Sequence, residues 1–431
     1  MLDAPGMPVS APVDAPADPF AIARALADRD ALVVARADGG RTTYVACDPS
    51  AVSQALEPEP LQRRGACEFG EIPRWFGLLP YEARRSLERP AAFDSRPEPD
   101  LVHPLWRRYP AVVKIAEQVE VIAAEARAVD ELRMRLARGL VSPPLALTGA
   151  TLRLRERAEP GVAHAERIRR ALALIGAGEI YQVNLARRFA LEVTGRAFEV
   201  LAALGRGGLP PHALSLDWPE LGVAMASPEL FLRLSPEGRA WTRPIKGTRP
   251  RAVDPTADAA LAQDLEQDPK ERAELAMVID VERNDLGRLA VPGSVRLAGA
   301  PSVETHASVH HRAATVEAEL RPGVSREELL LAMLPSGSVT GAPKIRAMEV
   351  IRALEPVRRG LYTGAAGFIR EDGGLELGMV IRTVTMRGAQ GAYYAGGGIV
   401  ADSDPEREVS ETLWKAAALI ELTGGRRDDF A

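Results

Sequence analysis

Strand-like runs and helical stripes follow one another along this chain without the regular βαβ alternation that a doubly wound parallel sheet requires. Short strands are predicted at Gly222–Ser227, Leu230–Leu234, Gly364–Ile369, Met379–Met386 and Ala392–Ala395, and a longer one at Ile180–Phe189. Helical stripes are predicted over Ala163–Ala177, from Asp268-Pro269 to about Val281, over Ser325–Met333 and Lys344–Leu354, and over Pro405–Leu422. The class this order predicts is α+β, with antiparallel sheets and helices packed outside. With 431 residues, 46% of them hydrophobic, the chain can bury a sizeable core. Residues 1–20, rich in Ala, Pro and Asp, read as a disordered tail. Residues 21–145 alternate apolar runs such as Ala31–Ala35, Trp75–Leu79 and Val112–Ile122 with loops, and Arg84–Pro104 reads as a long connection. Residues 146–425 hold the chemistry, and the N-terminal part is expected to complete their fold.

Several function classes fall away. A net charge of -5 gives no basic field for nucleic acid. No run approaches about 18 consecutive apolar residues, so no membrane span is expected. The first twenty residues lack a signal peptide's basic region, and Cys47 and Cys67 cannot make a disulfide framework, so a cytoplasmic setting is expected. No Cys/His spacing suits zinc. The segment from Ser336 to Lys344 lacks the spacing of a nucleotide phosphate loop.

Lysine is rare: 5 against 49 arginines. Lysine can lose its proton and act as nucleophile or base, which arginine in effect cannot, so each survivor is a candidate. Four of them (Lys246, Lys270, Lys344, Lys415) and both asparagines, Asn184 and Asn284, lie beyond residue 180. Lys246 stands between Ile245 and Gly247 on a proline-bounded strand. Glu271 and Glu274 lie one helical turn apart; so do Glu408 and Glu411, with Lys415 following. Four carboxylates brought together would repel unless a cation joined them, and carboxylate oxygens suit Mg²⁺. Gly396, Gly397 and Gly398 after a strand allow close backbone approach to a ligand. His310-His311 is a candidate acid/base pair.

These segments, in this order, resemble the chorismate-utilising enzymes. The resemblance is strong over about residues 160–422 and faint over 70–120. It rests on Gly178-Glu-Ile-Tyr-Gln-Val-Asn-Leu185, Ser227-Pro-Glu229, Pro244-Ile-Lys-Gly-Thr-Arg-Pro-Arg251, Lys270 to Glu274 and Asp280 to Asp285. It continues through Gly337-Ser-Val-Thr-Gly-Ala-Pro-Lys344, Arg382-Thr383, Gly396–Asp402 and Glu408–Lys415. The family implies a large orthogonal antiparallel β-sandwich ringed by helices, and Mg²⁺-dependent chemistry on chorismate. Glu274 and Glu411 match its metal ligands, with Glu271 and Glu408 beside them. Arg382 and Gly396–Gly398 match its grip on the substrate carboxylates. Gln182, Thr248, Thr340, Gly341, Tyr362 and Lys415 complete the substrate set that the resemblance implies.

Gln182 stands where water-adding members carry a lysine base, and an amide cannot deprotonate water. Anthranilate synthases typically have Ala at the position of Lys246, and Ser at that of Thr340. The resemblance therefore favours the branch that aminates the ring at C4. It implies Lys246 as nucleophile at C2, Glu229 as general acid and His311 as a further catalytic group. The sequence carries no Cys/His/Glu glutaminase signature, so ammonia is expected from solution or from a separate glutamine amidotransferase subunit. The alternatives are component I of anthranilate synthase, and a catalytically silent scaffold for a glutaminase. Two departures stand out: Arg-Ala-Ala follows His311, and Ser336 occupies a position where Gly is usual. The N-terminal region lacks the Leu-Leu-Glu-Ser-type motif tied to tryptophan feedback, so none is implied.

Overall fold

The computed structural model describes residues 9–59, 70, 72–84, 96, 101–143, 149–155, 160–306 and 309–430. Cys67, and most of the connection expected over Arg84–Pro104, lie outside them. Among the described residues, a twelve-stranded and a nine-stranded sheet face each other, with a three-stranded sheet beside them. Every pairing between strands is antiparallel.

Period-two alternation explains how the large sheet is covered on both faces. In the strand Leu32–Ala37, Val33, Ala35 and Ala37 face the second sheet, where they meet Phe76, Leu78 and Phe368. Leu32 and Val34 face the other way, against Ile22 and Leu26 and against Leu132 and Leu136 of the helix Ala126–Val141. The N-terminal segment enters both sheets. Leu32–Ala37 pairs with His212–Asp217, and Pro73–Leu79 pairs with Ala365–Arg370. The tail reading fails from Val9 onward. Val9–Pro12 pairs with Val119–Ala123, and Pro19–Ala25 is a helix capped by Asp18, because Phe20 and Ala11 have an apolar cluster to join.

Three predicted elements divide. Val112–Ile122 becomes a hairpin of Ala111–Ile115 and Val119–Ala123. The last helix breaks at Ala416 into Pro405–Lys415 and Ala417–Thr423. The predicted strand Met379–Met386 is two strands in different sheets. Leu375–Met379 belongs to the nine-stranded sheet and Thr383–Arg387 to the twelve-stranded one. The chain crosses over between them at Val380–Arg382, where Arg382 takes a φ of 50°. A second crossover runs beside it, from Gly222–Ser227 in the large sheet to Leu230–Leu234 in the smaller, and carries Glu229. The two are tied by hydrogen bonds from Ala226 N–H to the Arg382 carbonyl (3.1 Å) and from Met379 N–H to the Glu229 carbonyl (3.0 Å).

Phe368 makes edge-to-face contacts with Tyr44 of the opposite sheet (6.2 Å between centroids) and with Phe76 of its own (5.9 Å). Phe368→Ala is expected to cost about 3–5 kcal/mol, read from urea unfolding, because the two sheets cannot collapse onto the space left.

Candidate active site

Two helices bring the acidic pairs. Pro269–Gly287 starts at Asp268, whose carboxylate accepts from the N–H groups of Lys270 (2.9 Å) and Glu271 (3.2 Å). Pro405–Lys415 starts at Asp404, whose carboxylate accepts from Arg407 N–H at 2.8 Å. In both, aspartate caps the helix and proline fills the first turn. Glu271 and Glu408 thus stand in N-terminal turns, where the helix dipole favours negative charge. The ammonium of Lys270 joins the two helices, 3.7 Å from Glu274 and 3.9 Å from Glu408. Lys415 lies 2.6 Å from Glu411 and donates to the Gly396 carbonyl at 2.8 Å.

These carboxylates are the residues on the two helices that could serve a hard cation as ligands. Burial, with repulsion from Glu274 and Asp268, raises the Glu271 carboxyl above its usual range; burial and Glu411 do the same to Glu408. Lys415 holds Glu411 low. Glu408 Oε2 is buried without a hydrogen-bond partner. Among the described residues no group of three or more His, Cys, Asp or Glu side chains is arranged to hold a metal ion. One or two carboxylates, with water and substrate oxygens, are what Mg²⁺ commonly takes.

Lys246 lies on the strand Ile245–Pro250, which leaves the smaller sheet at Pro244 for the three-stranded one. Pairing with Val309–Ala313 shifts register between Lys246 and Thr248, and Gly247 in that bulge has a φ of 81°. Such a bulge re-aims its neighbours, and a Cβ on Gly247 would fall 2.6 Å from Leu265 and 3.0 Å from Glu271. Lys246 Nζ donates to the Ser338 carbonyl at 3.2 Å, and its charge lowers the pKa of both Glu229 and Glu411, favouring their ionised forms. It lies between the general-acid candidate and the glutamate cluster.

Glu229 is buried, and its carboxylate accepts from the Ser338 hydroxyl at 2.7 Å. Burial pushes it up to about 7, with Glu282 adding to the rise while Ser338 and Lys246 oppose it. A carboxyl at that value can donate a proton near neutrality. Arg382 is half-buried, with its pKa lowered by desolvation, and its guanidinium makes no ion pair among the described residues. A substrate carboxylate would complete it. Gln182 has both amide atoms buried without partners, and Nε2 lies 2.4 Å from where a Gly398 Cβ would be. The same Cβ would come within 3.5 Å of Lys246 Nζ, and one on Gly397 would lie 3.0 Å from Glu408. Glycine at these positions leaves room where metal candidates, lysine and amide meet.

The remaining candidates lie at the edges. His311 is neutral, drawn down to about 3 by burial and by Arg382, and its Nδ1 is 2.9 Å from Thr248 Oγ1. His310, on the opposite face of its strand, is taken up by Asp258 (3.0 Å) and Thr305 (2.9 Å), so the two histidines do not act as a pair. The Thr340 hydroxyl donates to the Ser336 carbonyl at 2.7 Å. Gly341, at a φ of 139°, has no room for a Cβ, which would be 2.1 Å from the Gln182 carbonyl oxygen. Tyr362 stacks on Tyr394 (4.9 Å between centroids) and faces Arg359. Ser338, which touches both Glu229 and Lys246, escaped the sequence reading because a serine in a glycine-rich turn has no signature of its own.

A profile of the chorismate binding enzymes matches residues 18–421. The chain belongs to that family. It is 41% identical over 277 residues to aminodeoxychorismate synthase component 1 of Salmonella typhimurium, covering 64% of this chain and 60% of that one. It is 44% identical over 258 residues to anthranilate synthase component 1 of Thermus thermophilus, covering 60% and 56%. An aminodeoxychorismate synthase of Streptomyces griseus is 36% identical over 410 residues, 90% of this chain and 55% of that one. The matches thus span little more than half the length of these relatives. Anthranilate synthase component I of Streptococcus pneumoniae superposes with a TM-score of 0.74 at 26% identity, covering 90% of this chain and 93% of that one. The isochorismate synthase MenF of Escherichia coli shares the fold at a TM-score of 0.75 and 19% identity, covering 97% and 95%. No helix among the described residues is long and apolar enough to cross a membrane.

A raised carboxyl changes stability with pH. An unfolded glutamate ionises near pH ~4.3, whereas Glu229 keeps its proton until about 7. As pH rises between those values the unfolded state loses the proton first, so stability falls. Glu229→Gln removes this loss. Relative to wild type, the variant is expected to gain on the order of 3 kcal/mol between pH 4 and pH 8 in urea unfolding.

Proposed function

We propose that this chain aminates chorismate at C4 to give 4-amino-4-deoxychorismate, as component I of an aminodeoxychorismate synthase. The observation that carries the reading is the place of Lys246, between Glu229 and the glutamate cluster. Names borne by relatives at 41% and 36% identity support it. Arg382 and the backbone at Gly396–Gly398 hold the substrate's carboxylates. Glu274 and Glu411, with Glu271 and Glu408 beside them, would hold Mg²⁺, which would supply charge neutralisation and positioning for the ring carboxylate.

Lys246 Nζ, as the free amine, bonds to C2 while the ring double bond shifts and the C4–O bond breaks. Glu229 gives its proton to the departing hydroxyl, which leaves as water. Ammonia then bonds to C4, the double bond shifts back, and the C2–N bond breaks to return the lysine. The covalent step replaces one difficult displacement with two allylic ones. Gln182 cannot deprotonate a water, so hydroxylation at C2 is not favoured. Ammonia comes from solution or from a separate glutamine amidotransferase subunit, and the product serves 4-aminobenzoate and folate synthesis in the cytoplasm.

A second reading, component I of anthranilate synthase, has the 44% relative in its favour. Product identity separates the two. Incubated with chorismate, Mg²⁺ and ammonium, the purified protein is expected to form a compound that yields 4-aminobenzoate only after an aminodeoxychorismate lyase is added. Anthranilate appearing unaided would overturn the assignment. Chelation with EDTA should abolish turnover and Mg²⁺ restore it. Lys246→Ala should lower kcat on the order of a thousandfold, and full amination by that variant would remove the nucleophile role.

A further inference from the structure

Glu282 is an acid where the helix Pro269–Gly287 needs a hydrophobe. It stands on the stripe of Leu275, Ile279 and Leu286, is 0% exposed, and has Oε2 without a hydrogen-bond partner. Its other oxygen accepts from Gly337 N–H at 3.0 Å and from the Ser336 hydroxyl at 2.6 Å. Ser336 Oγ is 2.9 Å from Ser338 Oγ, and Ser338 Oγ is 2.7 Å from Glu229. Two buried carboxyls are therefore joined by two buried hydroxyls in an unbroken line of short hydrogen bonds. Burying an ionised carboxylate in an apolar stripe is costly, so one in this position calls for a use.

We propose that Glu282 is a positioning residue that shares one proton with Glu229 through Ser336 and Ser338 and loads the general acid. With the proton on Glu229, each group donates toward Glu282; with it on Glu282, every donor reverses. Either hydroxyl can be the donor at the central contact, so both directions are open. As the C4–O bond breaks, the shared proton resting on Glu282 moves down the line: Glu282 gives a proton to Ser336, Ser336 to Ser338 and Ser338 to Glu229, which passes one to the departing hydroxyl. Both carboxyls then stand ionised, and the pair regains its one proton when the ammonium formed at C4 releases one to Glu229, from which the same line returns it to Glu282. Both carboxyls are raised in pKa, chiefly by burial, so one proton between them near neutrality is consistent with their surroundings. The charges facing the pair are Lys246 and Arg382 at the Glu229 end, and Lys344 and Asp285, paired with each other, at the Glu282 end.

The relay rests on the proposed amination, so its test has one arm free of turnover. Infrared titration of the buried protonated carboxyl, identified by its loss in Glu229→Gln, is expected to move to lower pH by roughly one unit in Glu282→Gln. An unmoved titration would overturn the coupling. In the kinetic arm, Ser336→Ala, which deletes one hydroxyl, should lower kcat by roughly tenfold with KM for chorismate unchanged. It should also turn a bowed proton inventory in H2O/D2O mixtures linear, and Ser336→Thr should recover both. Wild-type kcat, pH profile and inventory in Ser336→Ala would sink the relay. If the infrared shift appears while the wild type leaves chorismate unchanged, the amination fails and the coupled pair stands.

Discussion

Two chain crossovers lie side by side at one end of the sandwich, and the site depends on their being tied together. One carries Glu229 from the larger sheet to the smaller; the other carries Arg382 back. Their backbones exchange hydrogen bonds at Ala226–Arg382 and Met379–Glu229, which fixes the acid and the guanidinium in one frame. Because the strands on either side are paired into opposite sheets, neither crossover can shift without breaking register in both. The positive φ of Arg382 belongs to this arrangement, a local strain sustained by the sheets around it.

Around that frame, charge is distributed so that each buried group leans on another. Lys246 opposes the burial of Glu229 and lowers Glu411. Lys270 and Lys415 stand against the four glutamates on two helices. Lys344 meets Asp285 beneath Glu282. Four of the chain's five lysines are thus within this one region, whereas Lys114 makes a cross-strand pair with Glu120 at 3.2 Å in the N-terminal part. A chain that uses arginine almost everywhere else keeps lysine where a compact ammonium with three donors, able to lose a proton, fits and a planar guanidinium does not.

Glycine supplies the complementary constraint. Gly397 and Gly398 lie over Glu408, Gln182 and Lys246 at distances that leave no space for a side chain. Gly341 allows the loop after Ser336 to pair with Gln182 and Val183. That loop is the hub of the interior: Ser338 serves Lys246 through its carbonyl and Glu229 through its hydroxyl, while Ser336 reaches Glu282.

Local order along the chain was enough for the α+β class, the Asp268-Pro269 start of the first glutamate helix and the Pro405 start of the second, and the carboxylate pairs one turn apart, because caps and helical spacing act within a few residues. Motif order was enough for the family. What the chain in isolation leaves open is which side chains meet. Met379–Met386 reads as one strand, since an apolar run looks the same whether it stays in a sheet or passes between two. Glu282 could have been noticed as an acid on an apolar stripe, but its partner Ser336 lies 54 residues away and meets it only when the helix packs under the loop. Val9–Pro12 carries too little apolar surface to announce a strand, and becomes one because Val119–Ala123 offers an unpaired edge. The residue types and their local spacing were decided by sequence; the pairing of buried charges, the crossovers and the raised carboxyls were decided by tertiary structure, because burial and proximity exist only once distant segments pack.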